Sequence, residues 1–403
     1  MDFDDTPEEA AFRAEARTWL DQHATLKSDS SRDALSKAAT EGHVERCEQW
    51  QRTLYDGGWA GITWPKEHGG RGGTGVESSI FNQEQGRYDV SAGVFTVAIG
   101  MVGPTLIAHG TEAQKERHLD AILRGDEIWC QLFSEPGAGS DLAGLSTKAV
   151  LDGDELVVNG QKVWTSGAHH SDYGILLVRT DADVPKHKGL TYLLVDMATP
   201  GIDVRPLRQI TGDAHFNEVF LTDVRVPVGN VVGEINRGWG PILTTLANER
   251  SAIGGGGSNP FDDLKRLLHD TGKGGDTVAR QGLAEAYTRL QLIRYLGFRV
   301  QTAMSQGRIP GAEASVLKLA YSQHLAATGD LALSLEGPSG MLDGADAPRT
   351  GFWQSAFLGQ WAARLGGGTD QIQRNIIGER VLGLPREPRT DKDQPFRDLP
   401  RNG

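Results

Sequence analysis

The feature that most constrains this chain is a change in hydrophobic period, which is helical at both ends and strand-like in the middle. Before about residue 128, apolar side chains recur at helical spacing, as Phe12, Ala16, Trp19 and Leu20 do after a predicted cap at Thr6. From about residue 129, short β-rich runs such as 175–178 alternate with turn residues. Helical spacing returns after about residue 229. The pattern therefore predicts an α, then β, then α order.

The middle region carries the signals of an antiparallel sheet. Asp152–Gly153–Asp154 and Asn159–Gly160 each separate β-rich runs, and both are predicted to be hairpin turns. Parallel pairing through βαβ units requires helices between strands, and the pattern offers none there. We therefore expect a small barrel or sandwich at 129–229, between helical domains at 1–128 and 230–403, with a poorly ordered tail from about residue 389.

Charge and cysteine content exclude several classes of protein. The 403 residues include 41 basic and 53 acidic side chains, a formal net charge of −12, which does not suit a nucleic-acid partner. Two cysteines are too few for a disulfide framework. The acidic start and the interrupted apolar runs predict neither a signal peptide nor a membrane partner, so a cytoplasmic location is expected. His169 and His170 face opposite sides if extended, and no metal site is predicted.

The strongest candidate for chemistry is the block at 129–141, WCQLFSEPGAGSD. It reads as a strand that breaks into a turn with successive exposed N–H groups, which suits an anion such as a pyrophosphate. A plain Gly/Pro turn between two domains is the alternative. The stretch 137–142 lacks the third glycine of a dinucleotide fingerprint and does not follow the βαβ pattern, so a Rossmann site is not predicted.

This block resembles the flavin-binding motif of the acyl-CoA dehydrogenase family, and five more family-like motifs flank it in the family's order. They are GWAGITWP at 58–65, EQGR at 84–87, NGQKVWTS at 159–166, FNEV at 216–219 and GGTDQIQRN at 367–375. The resemblance implies FAD as cofactor and a fold with an N-terminal helical domain, a β-domain and a C-terminal four-helix bundle.

The resemblance also assigns binding roles to individual residues. The implied FAD contacts are Gln131, Leu132, Phe133, Ser134, Gly139, Ser140, Trp164, Thr165, Ser166, Thr369 and Gln371, with the Ser166 hydroxyl near the flavin N5. The implied substrate contacts are Ser140, Arg250, Gly367 and Gly368.

The catalytic base is the point where this chain departs from many relatives. Desaturation of a thioester needs a carboxylate that removes the α-proton, and many members place it directly before the Gly-Thr of the last motif. Gly367 stands there in this chain. Some members instead use a glutamate on the first long helix after the β-domain, and Glu249 matches that position. The alternative for Glu249 and Arg250 is a surface ion pair.

Two further departures from the family and a run of glycines bear on the site. The stretch 259–275 lacks the family's Arg-x-x-Phe-Gly segment, and 334–340 replaces its Gln-x-x-Gly-Gly segment. Either FAD has substituted contacts, or a second, different chain supplies part of the site. The run Gly254–Gly257 marks either a helix end or space for a wide acyl group.

The sequence therefore predicts an FAD-dependent dehydrogenase that converts an acyl-CoA, or an acyl-carrier thioester, to the 2-enoyl product. The resemblance implies an electron-transferring flavoprotein as acceptor and a homotetramer or an α2β2 assembly. Two alternatives stay open. One is a flavin monooxygenase on this fold, N-hydroxylating or nitroso-forming, and the other is a non-catalytic partner subunit.

Overall fold

The computed structural model describes residues 5–27, 42–254, 261–305, 313–388 and 391–400. Its helices are α1 (Pro7–His23), α2 (His43–Asp56), α3 (Gly75–Gln85), α4 (Gly103–His109), α5 (Glu112–Arg124), α6 (Trp239–Gly254), α7 (Phe261–Asp270), α8 (Thr277–Ser305), α9 (Glu313–Glu336), α10 (Phe352–Leu365) and α11 (Asp370–Ile376). Its strands are β1 (Trp129–Leu132), β2 (Lys148–Asp152), β3 (Glu155–Ser166), β4 (Tyr173–Arg179), β5 (Leu190–Asp196), β6 (Ile202–Leu207) and β7 (Phe216–Pro227). The predicted α, then β, then α order is confirmed.

The chain divides into two compact units that do not follow its linear order. Unit one comprises 1–41, 73–90 and 250–385, and unit two comprises 42–72, 91–249 and 386–403. Helices α1 and α3 therefore group with the C-terminal helices, while α2, α4 and α5 group with the sheet. The predicted domain boundaries, which were drawn along the chain, stay a prediction.

In unit one, α1 begins with the predicted cap. The Thr6 side chain accepts a hydrogen bond from the N–H of Glu9, whose carboxylate accepts one from the N–H of Thr6. Phe12, Ala16 and Leu20 are buried on one face of the helix. The helix start that the sequence predicts is therefore confirmed, because both halves of a capping box are in place.

The EQGR motif at 84–87 joins α3 to α1 through one buried carboxylate. Glu84 is paired with Arg13, Arg17 and Arg87, each at 3.0 Å. Burial raises the pKa of Glu84, but the three guanidinium groups outweigh it and lower the pKa to about 2. In this unit the motif has a structural role.

Unit two is built on one seven-stranded sheet. The path runs β1-β4-β2-β3-β7-β6, and β5 pairs with β4. The long pairings β3–β7, β4–β5 and β6–β7 are antiparallel, as predicted. A short pairing of β1 with β4 is parallel. The connection from β1 to β4 contains the β2–β3 hairpin in place of the helix of a βαβ unit. The search for βαβ units in the sequence therefore did not predict this parallel pair.

One of the two predicted hairpin turns is present. Gly153, at φ +67°, lies in the turn between β2 and β3. The prediction for Asn159–Gly160 was wrong, because β3 runs through both residues with a register shift next to Gly160. A Cβ on Gly160 would collide with the Thr147 hydroxyl, so the glycine permits a close approach instead of a turn.

Two surface segments of unit two are anchored by aromatic side chains. In the Gly-rich loop before α3, Trp59 and Trp64 are buried, as predicted for a segment that packs down. At the other end of the chain, residues 391–400 lie within the tail that we predict to be poorly ordered, yet Phe396 is buried. In the described part of the chain, no helix is long and apolar enough to cross a membrane.

Candidate functional site

The two motifs that the sequence assigns to flavin are neighbours in unit two. The N–H of Val163, near the end of β3, donates to the carbonyl of Ser134 at 2.9 Å, just after β1. The segment 131–134 and the segment 164–166 therefore lie side by side. Leu132 and Phe133 turn their side chains into the core, so Gln131 and Ser134 are the half-buried members of the first segment.

Trp164 is held in a strained and exposed conformation. A register shift between Lys162 and Thr165 interrupts the β3–β7 ladder at this point. Trp164 has φ +61°, and its side chain is 59% exposed. The left-handed region costs a residue other than glycine about 1–2 kcal/mol. A bulge that turns a large aromatic ring outward beside a predicted site is typical of a functional position.

The residues after Trp164 alternate in direction. Ser166 is exposed, whereas the side chain of Thr165 is fully buried. The carbonyl of Thr165 accepts a hydrogen bond from the Asn217 amide at 2.9 Å. Trp164 and Ser166 are therefore the two side chains of this segment that a flavin ring can contact.

A buried ion pair fixes the loop between β1 and β2, residues 133–147. The Lys162 ammonium donates to Glu135 at 2.8 Å and to the carbonyl of Phe133 at 3.1 Å. Glu135 also accepts from the N–H groups of Ser146, at 2.6 Å, and Thr147, at 2.9 Å. Lys162 is completely buried, and Glu135 is 8% exposed. The loop is thereby tied at both ends to one carboxylate.

The same pair has perturbed pKa values. Burial raises the pKa of Glu135, but the charge of Lys162 and the hydrogen bonds to the carboxylate outweigh it, and the pKa lies below its ordinary value. Burial lowers the pKa of Lys162, although Glu135 opposes this.

The tip of the β1–β2 loop presents the donors that an anion needs. Within the described residues, the N–H groups of Gly139 and Ser140 make no hydrogen bond. Both residues are exposed, and a Cβ on Gly139 would meet nothing within 4 Å. Free N–H groups, open space and the exposed Trp164 ring fit the flavin dinucleotide that the resemblance implies.

Glu249 lies in unit two on α6, the helix that follows the sheet. Thr245, one turn earlier on the same face of α6, contacts the Tyr192 hydroxyl at 3.1 Å. The Tyr192 ring packs edge-on against Phe133 with centroids 6.0 Å apart. Glu249 is half-buried. The face of α6 that carries Glu249 is therefore linked through Tyr192 to the β1–β2 loop.

The remaining predicted residues belong to unit one. Gly367 and Gly368 have φ +62° and +85°, and the Gln373 amide donates to both of their carbonyls. The Thr369 hydroxyl caps α11 by accepting from the N–H of Ile372 at 3.1 Å, and Gln371 is exposed. The Arg250 side chain and the glycines at 255–257 lie outside the described residues, while Gly254 ends α6.

A chain of hydrogen bonds lies directly behind Thr165. Asn217 contacts His169 at 3.2 Å, and His169 contacts His170 at 3.2 Å. Since Asn217 also donates to the carbonyls of Thr165 and His215, its amide nitrogen faces His169, whose Nδ1 must accept. The two histidines lie in a single turn and not in the extended form considered from sequence. Among the described residues, no group of three or more His, Cys, Asp or Glu side chains is arranged to hold a metal ion.

We predict that buried histidines make the β-domain less stable in acid. Burial lowers the pKa values of His170 and His215 below the ordinary 6.5, with His169 adding to both effects. Between the lowered pKa of the folded protein and the ordinary 6.5, the unfolded chain binds more protons than the folded chain. The stability that the neutral, buried imidazoles contribute is therefore complete above pH 6.5 and is lost as the pH falls through the pKa of the folded state. We expect urea unfolding to show this loss for the wild type between pH 7 and 5, and a smaller loss for His170→Gln.

The matched control for this prediction is His269→Gln, because the His269 side chain is 91% exposed. It should keep the wild-type pH dependence. An equal slope in wild type and His170→Gln would contradict the prediction.

Reasoning from sequence missed the residues that hold these segments in place. Lys162 and Asn217 are buried polar side chains inside β-rich runs. Their positions on the inward face of the strands were the signal in the sequence that could have indicated a structural role. In unit one, buried Asp370 accepts from Ser322 at 2.6 Å and pairs with Lys318. These contacts join residues far apart in sequence, which a linear pattern does not indicate.

A surface cavity of about 530 Å³ lies elsewhere in unit two. Its lining includes Arg117, Asp126, Glu127 and Tyr173. None of the predicted site residues that the structure describes contributes to this lining. The cavity therefore does not coincide with the candidate site.

Three family models match successive parts of the chain. They are the N-terminal domain of acyl-CoA dehydrogenase at residues 6–126, the middle domain at 130–224 and the C-terminal domain at 236–382.

Two curated relatives come from Mycobacterium tuberculosis. Acyl-CoA dehydrogenase IpdE1 is 38% identical over 382 residues, covering 93% of this chain and 98% of the relative. Acyl-CoA dehydrogenase FadE34 is 41% identical over 341 residues, covering 84% of this chain. This match spans only 46% of the length of FadE34.

Two solved structures are similar over nearly the whole chain. The one described as Tcur3481-Tcur3483 steroid ACAD has a TM-score of 0.83 at 32% identity and covers 96% of this chain and 100% of that chain. The ChsE4-ChsE5 complex from Mycobacterium tuberculosis has a TM-score of 0.80 at 32% identity with the same coverage.

Proposed function

Because this chain belongs to the acyl-CoA dehydrogenase family, we propose that it desaturates the Cα–Cβ bond of an acyl thioester with Glu249 as base. Members of this family are FAD-dependent flavoproteins and oxidoreductases that act on CH–CH bonds. Beyond membership of the family, the proposal assigns the catalytic base, the binding residues and the class of substrate.

The position of Glu249 supports its role as base. Thr245 orients this face of α6 towards Tyr192 and Phe133, and Glu249 lies one turn further along. Gly367 has no side chain and therefore supplies no carboxylate at the position that many members use. In the proposed reaction a Glu249 carboxylate oxygen accepts the α-proton of the thioester.

Unit two provides the groups proposed to hold the cofactor. The N–H groups of Gly139 and Ser140 would bind its phosphates, and the Trp164 ring would cover its flavin. The Ser166 hydroxyl is proposed to donate near N5. The chemistry that FAD would supply when bound is an acceptor for the β-hydrogen as hydride. In unit one, Thr369 and Gln371 are the proposed FAD contacts, and Arg250, Gly367 and Gly368 are proposed to bind substrate with Ser140.

The proposed substrate is the CoA thioester of a bulky, polycyclic acid. One similar structure is described as a steroid ACAD, which supports this class. The run Gly254–Gly257 in the sequence agrees with this class, because glycine has no side chain that would compete with a wide acyl group. A carrier-protein thioester is the alternative, with the same chemistry at Cα and Cβ.

The proposed partners are an electron-transferring flavoprotein and further subunits of this fold. In unit one, large apolar side chains such as Val278 at 80%, Leu292 at 56% and Leu365 at 60% are exposed, which is typical of an interface. Either a homotetramer or an α2β2 assembly covers such a surface. The described ChsE4-ChsE5 complex favours a second chain that supplies missing FAD contacts.

Anaerobic titration of the purified protein with butyryl-CoA and with a steroid carboxylic acyl-CoA tests the proposal. We expect a yellow protein whose absorbance near 450 nm is bleached by the steroid thioester at far lower concentration than by butyryl-CoA. FAD content without bleaching by any thioester would contradict the proposal, and reduction only by NADPH would favour a monooxygenase. A colourless protein that binds FAD only with a sister chain would indicate a partner subunit.

A further inference from the structure

Within unit two, residues 391–400 pack against the loop between β4 and β5. The C-terminal segment, residues 391–400, places the N–H of Phe396 on the carbonyl of Val184 at 2.9 Å and the N–H of Arg397 on that of Ala182 at 3.0 Å. The Phe396 side chain is 6% exposed. An aromatic anchor and backbone hydrogen bonds therefore fix this segment beside the loop that links β4 to β5.

Phe396 covers a buried arginine that holds the β1–β2 loop. The Arg179 guanidinium lies 3.5 Å from the centre of the Phe396 ring, and the residue is 4% exposed. Arg179 donates to the carbonyl of Ala143 at 2.6 Å and to that of Leu145 at 3.2 Å. One guanidinium thus joins the C-terminal segment to the loop whose tip carries Gly139 and Ser140.

A lysine makes a second connection between the same two segments. The Lys186 ammonium lies 2.9 Å from the carboxylate of Asp141 and 2.6 Å from that of Asp391. Asp141 directly follows Ser140. Both the tip and the later part of the loop are therefore tied to the C-terminal segment.

We propose that the C-terminal segment is a strap that fixes the β1–β2 loop in the conformation that binds the FAD phosphates. This role rests on the proposed function, because it concerns the same loop. Phe396 and Asp391 are positioning residues, since they act through Arg179 and Lys186 and do not themselves reach the loop tip.

The strap works by keeping water away from Arg179. A guanidinium that stacks on an aromatic ring is held more strongly when the pair is desolvated. When Phe396 is removed, water reaches the guanidinium and competes for its hydrogen bonds to Ala143 and Leu145. The loop then samples conformations in which the N–H groups of Gly139 and Ser140 diverge, and phosphate binding weakens.

The test compares Phe396→Ala with wild type in two measurements on the full chain. We expect the dissociation constant for FAD, measured by flavin fluorescence, to rise roughly tenfold. In protein without FAD, we expect amide hydrogen exchange at 139–147 to accelerate while exchange in β5 and β7 stays unchanged. Arg397→Ala is the matched control, because Arg397 pairs only with exposed Asp183 and Asp398 among the described residues and should alter neither measurement.

Each outcome decides the proposal. Unchanged FAD affinity and unchanged exchange at 139–147 in Phe396→Ala would overturn it, as would acceleration spread equally over the whole sheet, which indicates a general structural role. If Phe396→Ala does not fold, Phe396→Leu should restore folding with an intermediate FAD affinity, and Asp391→Asn should give faster loop exchange by itself. Wild-type protein that binds no FAD would contradict the proposed function, and the exchange comparison would still decide whether the strap exists.

Discussion

Glu249→Gln is expected to lower the rate of flavin reduction by an acyl-CoA by about 10³-fold while FAD binding stays unchanged. General-base catalysis contributes roughly 10²–10⁴-fold, and glutamine keeps the size and hydrogen-bonding shape of glutamate but accepts no proton. The measurement is anaerobic stopped-flow absorbance at 450 nm with saturating thioester. The dissociation constant for FAD, measured in parallel, checks that the site is intact.

A second measurement separates the base from a general effect on binding. Exchange of the α-proton of the thioester with D₂O reports the first proton transfer alone, and the variant should lose it. Glu234→Gln is the matched control, because Glu234 is exposed shortly before α6. A variant that reduces flavin at the wild-type rate would place the base elsewhere.

The conformation of Gly367 leads to a further expectation about the base. Gly367 has φ +62°, a conformation that costs a residue with a side chain about 1–2 kcal/mol. We therefore expect that adding Gly367→Glu to Glu249→Gln restores little activity. The backbone at this position suits the glycine that the chain carries, which agrees with a base on α6.

Local signals in the sequence predicted much of the fold. Thr6, which was predicted as a cap, forms a complete capping box with Glu9, because such caps involve residues three apart. Thr111 forms the same box with Gln114, although that cap was not predicted. The turn at Gly153 was predicted because its signal is local too. Asn159–Gly160 has the same turn chemistry but lies within β3, since pairing with β7 and the close approach of Thr147 override the local preference.

Contacts between residues far apart in the chain could not be predicted from the sequence pattern. No local sequence pattern indicates that α1 belongs to the same unit as the C-terminal helices. Nor does one indicate that Phe396 packs on Arg179, which lies 217 positions earlier in the chain. The same limit applies to the candidate site. The motifs indicated segments 131–134 and 164–166, but the hydrogen bond from Val163 to Ser134 that makes them neighbours depends on the folded sheet. The roles of the individual site residues stay a prediction.

The buried pair of Glu135 and Lys162 gives the largest expected effect on stability. Lys162→Met should lower the free energy of unfolding by about 3–5 kcal/mol, because it leaves the Glu135 carboxylate buried without its cation. Glu135 would keep only the N–H groups of Ser146 and Thr147, and the carbonyl of Phe133 would lose its donor. Urea unfolding followed by tryptophan fluorescence measures the change.

The double variant Glu135→Gln/Lys162→Met shows whether the loss comes from the unpaired charge. Removing both charges leaves no buried ion, so the double variant should be more stable than Lys162→Met alone, a strongly non-additive result. Arg225→Met is the control on the same sheet, because Arg225 forms exposed ion pairs with Asp152 and Glu155, and its loss should change little. Equal losses for Lys162→Met and Arg225→Met would contradict the prediction. Since Glu135 also closes the β1–β2 loop, the double variant should remain folded yet bind FAD more weakly than wild type, which separates the stability of the sheet from the shape of the loop.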